Sequence, residues 1–315
     1  MTDLTTPILT VSLNAAIDVV YTLPRLTPGA IHIAMTVDRV AGGKANNVAR
    51  VLARLGRPVL ATGFAGGAAG RFLLENLTAQ GIATDYERMA GENRSCLTIL
   101  GTEAGSVTEL RERGPTLTEQ DGDRFVQRFT RLLGDVGLVV ISGSLPPGLP
   151  PAFYHTLVSL AKERELPVIL DASGKALQVA IEAGPTLVKP NRDELAEWAG
   201  RPLPALADVI EAARVLAAAG PAMVAVSLGA DGIILITATE ALVATPPLIQ
   251  ARNTVGSGDS AVAGLAAALS TGASPADALR LAVACGTANA LTDGVAEVDP
   301  ATVEEIRTQV QLRSL

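Results

Sequence analysis

The chain has 315 residues, of which 48% are hydrophobic and only 3% aromatic. A chain of this length buries about three quarters of the surface that it exposes when unfolded, so we expect it to fold without a structural metal or disulfide. The formal net charge of −7 provides no attraction to nucleic acid or to an anionic membrane, and we expect neither as a partner. The first residues lack the basic start and long apolar core of a signal peptide. Cytoplasmic localisation is therefore the expectation.

Short apolar runs typical of buried strands alternate with segments of helical periodicity along the chain. This alternation predicts one α/β domain, 1–315, with a mostly parallel central sheet and helices on both faces. The predicted strands cover 8–13, 59–65, 138–143, 167–172, 186–191, 223–228 and 232–237. The predicted helices are NNVARVLARLG, GRFLLENLTAQG, AFYHTLVSLAKER and DVIEAARVLAAAG.

Two segments, 18–40 and 83–113, interrupt this rhythm because they are more polar and contain alternating apolar and polar residues. Such alternation is typical of half-exposed strands. We expect the two segments to form a small antiparallel sheet, a β lid over a site at the edge of the main sheet. The alternation in AIHIAMTV also indicates an exposed apolar face, from which we predict a homodimer formed through the lid.

The segment AGGKANN, residues 41–47, joins the predicted lid to a helix. Gly42 and Gly43 allow the backbone to approach a ligand closely, while Asn46 or Asn47 is suited either to sugar hydroxyls or to capping the helix. The chain contains only four lysines, and one of them, Lys44, lies in this turn. A glycine turn followed by a capping asparagine is the purely structural alternative.

A second lysine, Lys189, lies in VKPNRDEL, residues 188–195. Asn191 and Glu194 are three residues apart and therefore share one face of the following helix. An amide and a carboxylate at a strand end suit a Mg²⁺ ion held mostly through water. The alternative is a capping box, with asparagine at the N-cap and glutamate at N3.

The turn TVGSGDS, residues 254–260, precedes an alanine-rich helix. Gly256 and Gly258 leave backbone N–H groups free at a helix N-terminus, where the helix dipole also favours an anion. Asp259 follows directly and places a carboxylate beside this anion site. The structural alternative is an aspartate favoured in the first turn of any helix.

These segments occur in a characteristic order. SLNAAID, GGKANNVARVLARLG, SGSLPPG, DASGKAL, KPNRDEL, SLGADG and TVGSGD together make the chain resemble the PfkB, or ribokinase-like, carbohydrate kinase family along nearly its whole length. The match is closest to the branch that phosphorylates hexose phosphates. The resemblance implies a ribokinase-like three-layer sandwich that uses ATP and Mg²⁺. Ala45, Asn46 and Asn93 depart from the family pattern.

The resemblance also implies three groups of site residues. In the catalytic group, Asp259 is the general base, and the N–H groups of Gly256, Ser257 and Gly258 form the anion hole. The substrate group is Asp18, Gly42, Gly43, Lys44, Asn47, Arg94 and Ser144, with Arg94 holding the phosphate already present on the sugar. The cofactor group is Lys189, Asn191, Glu194, Ser227, Gly229, Gly232 and Asn289, with Asn191 and Glu194 organising Mg²⁺ through water.

The expected reaction is ATP-dependent phosphorylation of a ketohexose monophosphate. We favour fructose 1-phosphate, the 1-phosphofructokinase reaction, over fructose 6-phosphate or tagatose 6-phosphate. A kinase of an unphosphorylated sugar or nucleoside would leave Arg94 and Lys44 without partners. A sugar-phosphate-binding regulator without activity would not need the intact TVGSGD turn.

Overall fold

We analyse a computed structural model of the chain, which describes residues 5–103 and 105–315. The strands are β1 (Ile8–Ser12), β2 (Ala16–Leu23), β3 (Thr36–Gly42), β4 (Val59–Ala65), β5 (Ala83–Thr84), β6 (Glu87–Arg88), β7 (Arg94–Gly101), β8 (Ser106–Arg111), β9 (Leu138–Ser142), β10 (Val168–Asp171), β11 (Leu187–Val188), β12 (Met223–Ser227), β13 (Ile233–Ile236), β14 (Ala241–Thr245) and β15 (Gln311–Ser314). The α-helices are α1 (Lys44–Arg54), α2 (Gly67–Ala79), α3 (Glu119–Leu132), α4 (Phe153–Lys162), α5 (Gly174–Ala180), α6 (Arg192–Ala199), α7 (Leu206–Ala218), α8 (Ser257–Leu269), α9 (Pro275–Ala290) and α10 (Pro300–Gln309).

The large sheet has the strand order β15-β14-β13-β12-β11-β10-β9-β1-β4-β5, with β6 also beside β4. All pairings from β5 to β12 are parallel, and β12 to β15 form an antiparallel end. The mostly parallel sheet predicted from the sequence is therefore confirmed. The strand predicted over 186–191 is reduced to β11, because Pro190 has no N–H to continue the ladder.

Helices cover both faces of this sheet. Successive residues of a strand point to opposite faces, so Ile8 belongs to the core that includes α1, α2, α8, α9 and α10, whereas Leu9 belongs to the core that includes α3 to α7. Both residues are fully buried. The result is the three-layer α/β arrangement expected from continuous apolar strands.

Helix α8 is buried on every side from Asp259 to Ala268. Its alanine-rich sequence permits close contact with α9, where a Cβ on Gly264 would lie 2.8 Å from the Ala282 Cα. Because close-packed interiors resist displacement, the N-terminus of α8 is held rigidly.

The small sheet has the order β3-β2-β7-β8, and we call these four strands the lid. The two outer pairs are antiparallel, as predicted, and the central pair β2–β7 is parallel. The predicted second lid segment began at residue 83, but β5 and β6 pair with β4 of the large sheet, so this part of the lid begins at Arg94. Among the described residues, no helix combines the length and apolar character needed to cross a membrane.

Candidate active site

A cleft of about 610 Å³ lies between the lid and the ends of the large-sheet strands. Most of the predicted catalytic and substrate residues line it, namely Asp18, Gly43, Lys44, Asn47, Arg94, Ser144, Gly256 and Asp259, together with Glu194 of the cofactor group. A more open groove of about 770 Å³ near α7 and β13 contains none of the predicted residues. The chemistry predicted from the sequence is therefore concentrated in the first cleft.

The turn before α8 has the geometry of an anion site. Gly256 is the N-cap with φ 84°, and a Cβ there would lie 2.5 Å from the Ala296 backbone nitrogen, so only glycine is accommodated. The Ser257 N–H donates to the Thr254 carbonyl at 3.2 Å, so of the three N–H groups predicted for the anion hole it is the one that already has an acceptor in the described chain. Within the described chain, the N–H groups of Gly256, Gly258 and Asp259 have no acceptor, and they are available to an anion.

Asp259 is buried, and its carboxylate accepts a hydrogen bond from Asn47 Nδ2 at 2.8 Å. Burial raises the pKa of Asp259 to about 6, against the opposing effect of the nearby Lys44 ammonium. A carboxyl with a pKa near the working pH is ionised at neutrality and remains basic enough to accept a proton. The predicted role as a general base is therefore consistent with its environment.

Asn47 is itself held by a residue that was not predicted. The buried Arg50 guanidinium donates to Asn47 Oδ1 at 3.1 Å and to the Val295 carbonyl at 3.0 Å, and it also contacts the Ala41 carbonyl. Arg50 therefore ties the start of α1 to the loop that packs on the α8 turn. The only signal in the sequence is a charged residue inside the apolar pattern of NNVARVLARLG.

Asp171, at the end of β10, is a second buried carboxylate that was not predicted. It lies 3.3 Å from Lys44 Nζ and 3.4 Å from Lys189 Nζ, and it accepts a hydrogen bond from Ser142 Oγ at 2.9 Å. Burial alone would raise its pKa, but the two ammonium groups outweigh burial and lower the pKa to about 2. Asp171 is therefore an anion that positions both lysines.

Both lysines of the site depend on this carboxylate. Asp171 raises the pKa of Lys44, which remains a cation beside Asp259. Lys189 is only 4% exposed, and its ammonium lies 3.8 Å from the position that a Cβ on Gly258 would occupy. A cation is thus placed next to the free N–H groups of the α8 turn, where it adds to their attraction for an anion.

Asn191 and Glu194 form the capping box that was the structural alternative. The Glu194 N–H donates to Asn191 Oδ1 at 2.8 Å, and the Asn191 N–H donates to Glu194 Oε2 at 2.9 Å. The other carboxylate oxygen, Glu194 Oε1, lies 3.9 Å from Lys44 Nζ and faces the cleft. Ser227 is adjacent, since its N–H donates to the Pro190 carbonyl at 3.1 Å. The capping box leaves Glu194 Oε1 available to a ligand.

Asn289 was expected to contact the nucleotide, and this expectation is wrong. Its side chain is fully buried, donates from Nδ2 to the Val255 carbonyl and to Ser257 Oγ, both at 3.0 Å, and accepts the Glu297 N–H at 3.0 Å. It has no surface left for a ligand. Through these hydrogen bonds Asn289 instead fixes the shape of the turn before α8.

Three predicted glycines have identifiable backbone roles. A Cβ on Gly232 would lie 1.9 Å from the Ala244 carbonyl oxygen, so this glycine allows β13 and β14 to meet. Gly229 begins the preceding turn with φ 64° and has open space around it, which leaves it accessible. A Cβ on Gly42 would lie 2.1 Å from Asp18 Cγ, so Gly42 makes room for that carboxylate rather than for the substrate itself.

The substrate end of the cleft is formed by the lid and the loop after β9. Arg94 donates from Nε to the Asn14 carbonyl at 3.1 Å and from NH1 to the Glu112 carbonyl at 2.9 Å. Asn14 Nδ2 also donates to Ser144 Oγ at 3.1 Å. Burial raises the pKa of Asp18 although Arg50 and Arg94 oppose this. Carbonyls orient Arg94 without neutralising it.

Two of the residues that depart from the family pattern, Asn46 and Asn93, lie outside the cleft lining. Asn93 is buried, accepts the Gly66 N–H at 2.8 Å and donates to the Phe64 carbonyl at 3.1 Å. Asn46 is buried as well, donates to the Gly42 carbonyl at 2.9 Å and accepts from Tyr86 Oη. Both side chains connect parts of the scaffold, and neither lines the cleft.

A buried base, free N–H groups at a helix start and two lysines on one carboxylate define a class of site suited to transferring an anionic group to an acceptor. The chain matches the pfkB family carbohydrate kinase model over residues 9–302. It therefore belongs to the pfkB family of carbohydrate kinases, and it is an enzyme that transfers a phosphoryl group.

Three solved structures illustrate the relationship. A putative phosphofructokinase from Staphylococcus aureus is 31% identical, with a TM-score of 0.83 and 98% of this chain and 99% of that chain covered. Phosphofructokinase-2 from Escherichia coli is 29% identical, with a TM-score of 0.92 and coverage of 96% and 99%. A possible 1-phosphofructokinase from Thermotoga maritima is 27% identical, with a TM-score of 0.90 and coverage of 98% and 99%. The fold is the ribokinase-like one that was predicted.

Proposed function

We propose that this protein is an ATP- and Mg²⁺-dependent kinase of a ketohexose monophosphate and that fructose 1-phosphate is its preferred acceptor. The observation that carries the proposal is Asp259, a buried carboxylate of raised pKa that lines the cleft directly beside unpaired N–H groups. These two features serve opposite ends of one transfer. The N–H groups bind the incoming phosphoryl oxygens, and the carboxylate receives the proton of the attacking hydroxyl.

In the reaction that we propose, the acceptor hydroxyl lies against Asp259, which takes its proton as the new bond from the acceptor oxygen to the γ-phosphorus forms, the bond from that phosphorus to the bridging oxygen of ATP breaks, and ADP leaves. Asn47 orients this carboxylate through its 2.8 Å hydrogen bond. The N–H groups of Gly258 and Asp259, with Lys189 nearby, stabilise the charge on the transferred group. Phosphoryl transfer depends mainly on such positioning and charge stabilisation. The lid excludes water from the cleft.

The residues also suit ATP with Mg²⁺. Mg²⁺ in such sites is bound by one or two carboxylates, water and the phosphates of the nucleotide, and no group of three His, Cys, Asp or Glu side chains that could hold a metal ion occurs among the described residues. Glu194 supplies one free carboxylate oxygen, with Asn191 beside it. Bound Mg²⁺ would neutralise charge on the phosphates, while Lys189, Ser227 and Gly229 surround the nucleotide.

Two cations favour an acceptor that already carries a phosphate. Arg94 has no carboxylate within ion-pair distance in the described part of the chain, and Lys44 is 41% exposed toward the cleft. Lys44 is already paired with Asp171 and Glu194, so Arg94 is the cation that a neutral sugar or nucleoside would leave without an anion. The phosphofructokinase neighbours support a ketohexose phosphate, and the GGK turn leads us to favour fructose 1-phosphate.

A coupled assay with saturating ATP and Mg²⁺ tests this proposal. Fructose 1-phosphate, fructose 6-phosphate and tagatose 6-phosphate are compared with free fructose, ribose and adenosine. We expect the highest kcat/KM with fructose 1-phosphate and only weak turnover of the unphosphorylated compounds. A preference for another ketohexose phosphate would change the acceptor alone, whereas faster turnover of free sugar or nucleoside would refute the substrate class.

We further propose a homodimer formed through the lid. Ile31, Ile33, Met35 and Leu110 are between 56% and 98% exposed, in the lid or in the segment that joins β2 to β3. Burying such side chains against a second copy would remove a large apolar area from water. Light scattering at micromolar concentration should show a dimer, and the Ile31→Ser, Ile33→Ser double variant should be monomeric. Leu248→Ser, an equally exposed apolar site outside the lid, is the control that should remain dimeric.

A further inference from the structure

The lid presents a second arginine to the cleft. Strand β8 pairs with β7 so that Arg111 lies opposite Cys96, and Cys96 in turn lies opposite Asp18 on β2. Residues paired across a sheet share one face, so these three side chains form a row. Arg111, Arg94 and Asp18 all line the cleft. Arg111 is therefore placed at the same end of the cleft as Arg94.

The two arginines are held in different ways. Arg94 is oriented by the Asn14 and Glu112 carbonyls and keeps its full charge. In the part of the chain that the structure describes, Arg111 forms one ion pair, with the Glu109 carboxylate two residues away on the same strand. Its side chain is 68% exposed. Because exposed ion pairs contribute little to stability, Glu109 holds Arg111 without fixing it, and the guanidinium is free to turn to a stronger anion.

We infer that Arg111 is, with Arg94, a second ligand of the phosphate that the acceptor already carries, and that it leaves Glu109 when this phosphate binds. This inference rests on the proposed function and specifies its substrate end. A phosphate dianion accepts paired N–H donors from guanidinium groups better than a carboxylate shared with solvent does. Glu109 then keeps the empty cleft from attracting other anions.

Cys96 provides a readout that does not depend on turnover. It lies between Asp18 and Arg111 on the cleft face and is partly exposed, whereas the other cysteine, Cys285, is buried. A sugar phosphate bound to Arg94 and Arg111 would cover the Cys96 thiol. Iodoacetamide labelling of Cys96, compared with and without fructose 1-phosphate in each variant, therefore measures binding in the absence of ATP.

The test compares Arg111→Gln with Arg88→Gln, which removes the same charge from an exposed position on β6 outside the cleft. Loss of a charge-assisted hydrogen bond corresponds to about a 10- to 100-fold weaker interaction. In Arg111→Gln we therefore expect a rise of this size in the KM for fructose 1-phosphate and in the fructose 1-phosphate concentration that half-protects Cys96. Arg88→Gln should show neither rise. The kcat and the KM for free fructose should remain close to wild type.

Glu109→Gln supplies the converse variant. It should lower KM for fructose 1-phosphate when Arg111 is present and leave KM unchanged in the Arg111→Gln background, because the two side chains act on each other. Equal KM and equal protection in Arg111→Gln and Arg88→Gln would overturn the inference. If fructose 1-phosphate protects Cys96 in the wild-type protein but no hexose phosphate is turned over, the proposed function fails. The protection data then still decide the role of Arg111. If none of fructose 1-phosphate, fructose 6-phosphate and tagatose 6-phosphate protects Cys96 or reacts, both are overturned.

Discussion

Asp171, Lys189 and Asp259, on the large-sheet side of the site, are each less than a tenth exposed, whereas the side chain of Arg111 on the lid wall is 68% exposed. The buried groups are charged and in contact with one another or with Asn47, because an unpaired charge at such depth is very costly. The lid arginines are held by carbonyls or by one exposed carboxylate. This difference suggests that the large sheet provides chemistry of fixed geometry and that the lid adapts to the acceptor.

Among the tests of this contrast, Asp259→Asn should have the largest effect. An amide of the same shape keeps the hydrogen bond with Asn47 but cannot accept the hydroxyl proton, so we expect kcat to fall about 10²- to 10⁴-fold. KM for both substrates should remain within a few-fold of wild type. Steady-state kinetics with fructose 1-phosphate measure this, and Asp193→Asn, at an exposed position on α6, is the control. A kcat within a few-fold of wild type would exclude Asp259 as the base.

Asp171→Asn should disturb both substrates together. Removing one partner of a buried ion pair costs about 3–5 kcal/mol, because the remaining charge is left uncompensated, and here Lys189 is that charge. We expect a loss of unfolding free energy of this order in urea titration, with higher KM values for both ATP and the sugar phosphate. A change in only one of the two KM values would show that Asp171 does not link the two lysines.

The smallest effect concerns pH. Because the raised pKa of Asp259 is about 6, kcat/KM should fall as the pH decreases through this value and the base becomes protonated. The Asn47 hydrogen bond favours the ionised form, so Asn47→Ala should raise the pKa and move the acid limb to higher pH by about 0.5–1 unit. In Ser144→Ala, which alters the cleft without touching Asp259, the limb should remain in place. An unshifted limb in Asn47→Ala would contradict the proposed orientation.

Much of the fold and part of the site could be predicted from the sequence, because these features depend on local patterns. Continuous apolar strands and glycine-terminated helices predict a three-layer α/β fold, and TVGSGDS predicts an anion site at a helix start. The lid was recognised from its alternation. Its second segment was placed too early because β5 and β6, only two residues long each, give too short a pattern to assign to a sheet.

The connections between these segments were decided by the tertiary structure alone. Lys44 and Asp171 are 127 positions apart in the chain, and Asn47 and Asp259 are 212 apart. An acid at the end of an apolar run, such as Asp171, has no local pattern that identifies its partners. Arg50 has no local pattern that marks it, and Asn289 was predicted to contact the nucleotide, but folding buries both beside polar groups. The sequence by itself determined which chemical groups are present, and only packing decided which of them meet, since burial is what compels each polar group to find its partner.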